Sequence, residues 1–134
     1  MGSIDTIEGI GPKLATKMRK AGIRTTEALL KKGDSRRGRN EISGVTGIDS
    51  KMILEGVNRA DLMRVKGIGE EYSDLLEAAG VDTVKELRTR RASNLLKRMV
   101  DANKKRKLVR RLPTEAMVER WVAQAKELPP VVRY

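Results

Sequence analysis

The sequence contains no cysteine and no histidine. Disulfide frameworks, thiol nucleophiles, imidazole bases and most transition-metal sites are therefore excluded, because they depend on those side chains. Acid–base or nucleophilic catalysis would need Lys, Ser or clustered carboxylates in a pocket, and no spacing along the chain suggests such a group. We expect a protein that is not an enzyme and that holds neither a metal nor a cofactor.

Aromatic residues and long apolar runs are also scarce. The chain has one Trp, two Tyr and no Phe, so single-strand binding through rows of stacked bases is disfavoured. No stretch approaches the roughly 20 apolar residues that a membrane span needs. Residues 1–4 also lack the charged region and apolar run with which a secretion signal begins. We expect a soluble, cytoplasmic protein that does not contact a membrane.

Positive charge, by contrast, is abundant and concentrated in one segment. The formal net charge is +11. Between Lys85 and Arg111, twelve Lys or Arg residues accompany only two acidic residues, Glu86 and Asp101. A basic segment of this density favours a polyanionic partner, since phosphate neutralisation releases counterions. The alternative is a solvated face that only keeps the protein soluble.

The chain also contains an internal repeat. Residues 7–30, IEGIGPKLATKMRKAGIRTTEALL, return in changed form as residues 65–88, VKGIGEEYSDLLEAAGVDTVKELR, at a constant offset of 58 positions. Strand signals are missing and apolar residues recur at helical spacing, which predicts an all-α fold. We expect two related helical units, residues 3–61 and 62–134, packed into one compact body. The second unit would contain a basic insertion near residues 104–111.

Each copy predicts a helix that lies between a Gly-Ile-Gly turn and a later glycine. In the first copy, Pro12 starts this helix and Gly22 ends it. Thr25 and Thr83 then occupy the N-cap position of the following helix, and Thr83 forms a capping box with Glu86. The pattern therefore predicts the same short helical arrangement twice.

One further helix is expected late in each unit. In the first, it starts at residues 49–50 and runs to about Val57. In the second, it follows Thr114 and ends before Pro129, where the two prolines stop it. Trp121 lies on the apolar stripe of that helix, so we expect it in the core and not on a base-stacking surface.

The Gly-Ile-Gly turns lie in a longer pattern that resembles a known motif. Segments 4–11 and 62–69 both read Ile/Leu-x-x-Ile/Val-x-Gly-Ile-Gly before an apolar helix, and they resemble the helix-hairpin-helix motif of DNA repair, recombination and replication proteins. Over the whole chain, including residues 47–49, 57–62 and 107–113, the sequence is similar to a bacterial class with tandem helix-hairpin-helix units, domain of unknown function 4332. The motif implies sequence-independent contact with the DNA backbone, mainly through hairpin N–H groups across the minor groove.

The first turn matches the motif at Gly9, Ile10 and Gly11. Ile10 serves as an apolar plug, and the start of the following helix can seat a phosphate oxygen because its first N–H groups are unpaired. Lys13 stands where a side chain could reinforce that contact, with Lys17 one turn farther along. We predict that this turn binds nucleic acid.

The second turn matches at Gly67 and Gly69, with Ile68 as the plug. Glu70 and Glu71 occupy the positions beside the expected phosphate, which they would repel. The same carboxylates complement the helix dipole by roughly 0.3 to 1 kcal/mol each. We therefore expect the second turn to serve mainly in folding, and the first to serve in binding as well.

The sequence as a whole favours a non-catalytic protein that binds double-stranded DNA without sequence preference. Lys13, Lys17 and the first turn would contact one run of phosphates, and a second group of cations would follow another. That group comprises Arg88, Arg90, Arg91, Lys97, Arg98, Lys104, Lys105, Arg106, Lys107, Arg110 and Arg111. An adaptor whose basic face binds an acidic protein is the alternative. Structured RNA is a third, since phosphate contacts do not separate it from DNA.

Overall fold

The computed structural model describes residues 2–7 and 10–134. A short 3₁₀ helix, Ile4–Thr6, comes first. In chain order the α-helices that follow are α1 (Pro12–Lys20), α2 (Thr26–Lys32), α3 (Arg36–Thr46), α4 (Ser50–Leu62), α5 (Glu70–Ala78), α6 (Val84–Leu87), α7 (Ala92–Arg106) and α8 (Glu115–Glu127). These described residues form no strand beyond an isolated bridge between Ser3 and Thr25. The predicted all-α class is confirmed, and none of these helices is long and apolar enough to cross a membrane.

The chain divides into two compact units. The first comprises Met1–Asp61 together with Val131–Tyr134, and the second comprises Leu62–Pro130. The last four residues therefore belong to the first unit, although they follow the second unit along the chain. Nothing in the sequence pattern indicates this assignment.

Each unit has its own set of buried apolar side chains, which supplies most of the drive to fold. In the first unit the largest of them are Ile4, Ile7, Met18, Ile23, Leu29 and Ile53. In the second unit the cluster includes Leu62, Leu75, Leu76, Leu87, Leu95, Met99 and Trp121. Trp121 is 2% exposed and its ring lies 5.2 Å from that of Tyr72, so its predicted place in the core is confirmed.

The repeated helix is present in both units. Helices α1 and α5 have nine residues each and start 58 positions apart. Gly22 and Gly80 follow them with φ of +85° and +95°, the left-handed conformation that ends many helices and that glycine adopts without strain. Both predicted stops are confirmed.

The predicted N-caps of α2 and α6 are confirmed as well. The Thr25 hydroxyl accepts a hydrogen bond from the Ala28 N–H at 3.1 Å, and the Thr83 hydroxyl accepts one from the Glu86 N–H at 3.3 Å. Of the two bonds of the predicted capping box, the one to the Thr83 hydroxyl forms. The Glu86 carboxylate instead accepts from the Arg90 guanidinium at 2.9 Å.

Two features of the first unit differ from the sequence-based expectation. Helix α3 was not predicted; it starts at the N-cap Ser35, whose hydroxyl accepts from the Gly38 N–H at 3.1 Å. The prediction that α4 ends near Val57 is wrong, because the helix continues to Leu62. Its apolar face extends that far, since Val57 and Leu62 are both fully buried, and this burial outweighs the weak helical signal of the intervening polar residues.

Candidate nucleic-acid interface

The first Gly-Ile-Gly turn, residues 9–11, leads directly into α1. Gly9 lies outside the described residues. The Ile10 N–H donates to the Ile7 carbonyl at 3.1 Å, which closes the turn, and Ile10 is half-buried instead of fully buried as a core plug would be. Gly11 is the N-cap of α1 with φ −79° and ψ 179°. A Cβ atom built on Gly11 would meet no atom within 4 Å, so the backbone edge here is open.

The first turn of α1 lacks acidic residues. Pro12 stands at its first position, and Lys13 and Lys17 are both exposed. The positive end of the helix dipole stabilises anions here and disfavours cations. Lys13 therefore costs the isolated protein a little stability, and its charge adds to an electrostatic field that attracts anions.

The second Gly-Ile-Gly turn, residues 67–69, has the same closing bond. The Ile68 N–H donates to the Val65 carbonyl at 3.1 Å, and Ile68 is 4% exposed, which confirms it as a core plug. Gly67 has φ of +99°, and a Cβ atom built on it would lie 3.0 Å from the indole nitrogen of Trp121. Gly67 is thus required by the fold. Gly69, like the glycine before α1, faces open space with a negative φ.

A side chain of α8 holds the main chain of the residue that precedes the second turn. The Gln124 amide accepts from the Lys66 N–H at 3.0 Å and donates to the Lys66 carbonyl at 3.3 Å. Both main-chain groups of Lys66 are thereby satisfied by one residue that lies 58 positions away. The sequence offers no signal for this contact, since a glutamine on a helix face is ordinary.

The charge at the start of α5 is opposite to that at the start of α1. Glu70 and Glu71 occupy its first turn and are exposed. The position that corresponds to Lys17 is Leu75, which is fully buried because α5 packs against α7. The second turn therefore has neither of the two cations found beside the first.

The most basic stretch, Lys104–Arg111, is called the basic loop here. It begins as the last turn of α7 and leaves the helix at Lys107, which has φ of 50° and ψ of 51°. The stretch is thus helical only up to Arg106, so its cations do not all lie on one face of a single helix. Its cations at the helix end are favourably placed with respect to the α7 dipole, which gives three of them a structural role.

Two side chains anchor the basic loop to the second unit. Asn103 donates to the Val109 carbonyl at 3.2 Å and accepts from the Val109 N–H at 3.0 Å. The Tyr72 hydroxyl donates to the Arg111 carbonyl at 3.0 Å, and Val109 is 7% exposed. The loop is therefore held at its middle and at its end.

The cations of the basic loop all face solvent. The exposed residues are Lys104, Lys105, Arg106, Lys107, Arg110 and Arg111. Lys97 and Arg98 are exposed on α7, which leads into the loop. Arg98 and Lys105 also line a shallow groove of about 280 Å³ in which Asp101 is the acidic member. The structure thus brings the predicted cations of residues 97–111 together along α7 and the loop.

Two predicted phosphate-binding residues are engaged inside the second unit. The Arg88 guanidinium donates to the Lys126 carbonyl in the last turn of α8 at 2.7 Å. The Arg90 guanidinium donates to the Gly80 carbonyl at 3.0 Å and pairs with Glu86. Both cations thus bind carbonyls at helix ends, where the dipole favours positive charge. These bonds give both residues a structural role that the charge pattern alone does not reveal.

Arg91 lies apart from the basic loop, in a groove of mixed charge between the start of α7 and α8. Glu115 and Glu119 line the same groove, so its anionic side chains offset the cation. Within residues 2–7 and 10–134, no three acidic side chains come close enough together to hold a metal ion. Of the cations predicted to bind phosphate, those of α1 and of residues 97–111 remain exposed and outside that groove.

The fold and the candidate site define an all-α protein with one open, basic helix start in the first unit and one anchored basic loop in the second. Residues 8–128 match the family described as Domain of unknown function (DUF4332). The match spans most of the 134 residues, and the chain belongs to this family. No solved structure matches it.

Proposed function

We propose that this protein is a non-catalytic binder of double-stranded DNA that contacts phosphates without reading sequence. In this proposal the Gly-Ile-Gly turns are helix-hairpin-helix elements, of which the first binds the DNA backbone. The basic loop binds a second run of phosphates. Only the phosphates would be contacted, since the exposed groups are cations and main-chain N–H groups.

The observation that carries the proposal is the open start of α1. Gly11 suits the N-cap of α1, and since it is needed neither for a positive φ nor for close packing, its open edge leaves room for a ligand to approach the main chain. Lys13 is placed where the helix dipole disfavours it. The position of Lys13 reduces what the fold alone would gain, and both features favour a phosphate, which a helix start can bind through its N–H groups.

The anchored basic loop adds a second support. Exposed lysines and arginines on a mobile tail would lose conformational freedom when they bind, which weakens association. The hydrogen bonds from Asn103 and Tyr72 hold this loop before any partner arrives. The main chain that carries its cations is therefore ordered before a polyanion binds.

The test is a fluorescence-anisotropy titration of a labelled duplex at several salt concentrations. Six phosphate contacts would lower the affinity about a thousandfold between roughly 50 and 200 mM salt. A matched single strand and a structured RNA serve as competing ligands. Circular dichroism at each salt concentration controls for unfolding. A duplex affinity that does not change with salt would overturn the proposal, and tighter binding of the RNA would redirect it.

An adaptor role is the second candidate, and one observation favours it. Val45 is 74% exposed and lines a groove of about 370 Å³ with Ile23 and Ile42 in the first unit. Exposed apolar surface of this kind is typical of protein contacts. A protein partner whose affinity survives Lys13→Glu and does not compete with DNA would favour the adaptor role.

A further inference from the structure

Arg39 is an arginine buried in the first unit. It is 5% exposed, and burial lowers the pKa of its guanidinium, because the charged form loses hydration. Nη1 donates to the Gly33 carbonyl at 2.9 Å, just after α2, and Nη2 donates to the Arg133 carbonyl at 2.8 Å. A charge buried in this way requires its acceptors. One of them comes from the last four residues of the chain.

The 131–134 segment is bound to the first unit through main-chain atoms. The Arg133 N–H donates to the Asp34 carbonyl at 2.7 Å, while the Arg133 carbonyl accepts from Arg39. Both main-chain groups of one residue are therefore satisfied, the N–H by Asp34 between α2 and α3 and the carbonyl by the side chain of Arg39 in α3. This is how an extended peptide is recognised, independently of its side chains.

Side chains add selectivity to these main-chain bonds. The Arg133 guanidinium lies 3.8 Å from the Asp34 carboxylate. The Tyr134 hydroxyl donates to the Asn58 side-chain oxygen at 3.4 Å. The site thus favours a basic residue followed by a residue with a phenol group.

The segment is set apart from the helix that precedes it. Helix α8 ends at Glu127, and Pro129 and Pro130 lack main-chain N–H groups and cannot continue a helix. The contacts that hold residues 133 and 134 therefore come from the first unit and not from a continuing α8.

We propose that Asp34, Arg39 and Asn58 form a peptide-binding site for an extended basic-aromatic segment, which the 131–134 segment fills in the same chain. The site is separate from the DNA-binding proposal and does not depend on it. When its own segment is removed or displaced, the site is free to bind a peptide of the same chemistry.

The test compares the intact chain with a chain that ends at Pro130. The probe is a fluorescein-labelled peptide, Pro-Pro-Val-Val-Arg-Tyr, with an amidated end. We expect saturable binding to the shortened chain and none to the intact chain, whose site is already filled. A folded shortened chain that leaves the peptide unbound would overturn the proposal, and so would equal binding to both chains.

Specificity is tested by changing one charge in the protein or one in the peptide. Asp34→Asn in the shortened chain, or Glu in place of the peptide arginine, should each weaken binding about two- to fivefold, the usual effect of losing a solvent-exposed ion pair. Glu27→Gln is the control, because it neutralises a carboxylate of the same unit that faces solvent away from the residues of the site. Equal affinity for the Arg and Glu peptides would contradict the assignment.

If the shortened chain loses its helical circular dichroism, two measurements on the 134-residue chain test the proposal instead. In the intact protein the Arg133 amide should exchange slowly with solvent, since it donates to Asp34; fast exchange would overturn the proposal. A chain with Arg133→Glu and Tyr134→Ala should bind the peptide that the intact chain does not. A mass that doubles with concentration would show the segment seated in a second copy, which would overturn the assignment to the same chain.

Discussion

The two units differ in where their positive charge lies. In the first unit, the cations lie beside the Gly-Ile-Gly turn, at Lys13 and Lys17. In the second, acidic residues begin the helix after the turn, and the cations lie far along the chain, on α7 and the basic loop. The turn itself closes in the same way in both, through one hydrogen bond of 3.1 Å.

The comparison separates what the turn does for folding from what it could do for binding. Gly67 is needed for its left-handed conformation, whereas Gly11 and Gly69 have ordinary backbone angles and open surroundings. Backbone angles therefore do not distinguish Gly11 from Gly69; the charge beside them does. Each variant below changes either the charge or one of the glycines on which this comparison rests.

The largest effect is expected from the basic loop. Reversing Lys104, Lys105, Arg106 and Lys107 to Glu should weaken duplex binding at least about a hundredfold near physiological salt, because about four phosphate contacts are lost. The salt slope should fall by about four as well. Anisotropy titration measures both. Since Glu near a helix C-terminus destabilises the helix, the same four positions changed to Gln serve as the control. An unaltered slope in both variants would show that the loop is a solvated surface only.

Gly67→Ala should produce the next largest effect, and it concerns stability. An alanine at φ of +99° is strained, at a cost of roughly 1 to 2 kcal/mol, and its Cβ would press on Trp121. The change in unfolding free energy can be measured with urea. Gly69→Ala in the same turn is the matched control and should change stability by less than about 0.5 kcal/mol. Equal losses in the two variants would mean that the turn tolerates no side chain anywhere.

Lys13→Glu should act on binding and on stability in opposite directions. Duplex affinity should fall about tenfold, because a phosphate contact becomes a repulsion. Stability should rise by about 0.3 to 1 kcal/mol, because Glu suits a helix start. The control is Lys51→Glu, which reverses another exposed lysine of the first unit and should weaken binding only slightly. If both reversals weakened binding equally, net charge and not the turn would be responsible.

Glu71→Lys is the reverse experiment in the second turn. It gives α5 the cation that α1 has, and it should lower stability by about 0.3 to 1 kcal/mol through the helix dipole. Binding of the duplex should stay the same or tighten a few-fold. Urea denaturation and anisotropy report the two effects separately. Weaker binding by this variant would contradict the proposed difference between the turns.

Local signals in the sequence predicted the elements that are fixed by local chemistry. The helix ends at Gly22 and Gly80 and the N-caps at Thr25 and Thr83 depend on residues within one turn. Helix α3 was missed because its sequence, RRGRNEISGVT, contains two glycines and few apolar residues. Packing requires glycine at one of these positions: a Cβ on Gly38 would overlap the Lys32 carbonyl.

For the candidate site, the sequence predicted which cations are exposed but not the contacts that position them. The cations of residues 97–111 are exposed as a binding role requires. The side chains that position them were missed, because the Tyr72 bond to the Arg111 carbonyl spans 39 residues. The bond from Arg39 to the Arg133 carbonyl spans 94. Such side-chain bonds to distant carbonyls produce no periodic pattern in the sequence. For the same reason the sequence did not show that Arg88 and Arg90 bind carbonyls inside the second unit.

Gly11→Ala is expected to change stability least, so its effect on binding compares the two turns most directly. Gly11→Ala places a methyl group in open space at an angle that alanine adopts readily. Alanine is a poorer N-cap than glycine, but it also reduces the freedom of the unfolded chain by about 0.4 to 1 kcal/mol. The two effects oppose each other, so the unfolding free energy should change by less than about 0.5 kcal/mol.

Binding should respond to the same methyl group. If a phosphate approaches the main chain at this turn, the Cβ of Gly11→Ala lies in its path, and duplex affinity should fall several-fold while stability does not. Gly69→Ala is the matched control: it adds the same group to the same backbone in front of two carboxylates, and it should leave affinity unaltered. Equal duplex affinity for the two variants and the unaltered protein would mean that neither glycine faces DNA. The basic loop would then account for any duplex binding, and the open edge at Gly11 would need another explanation.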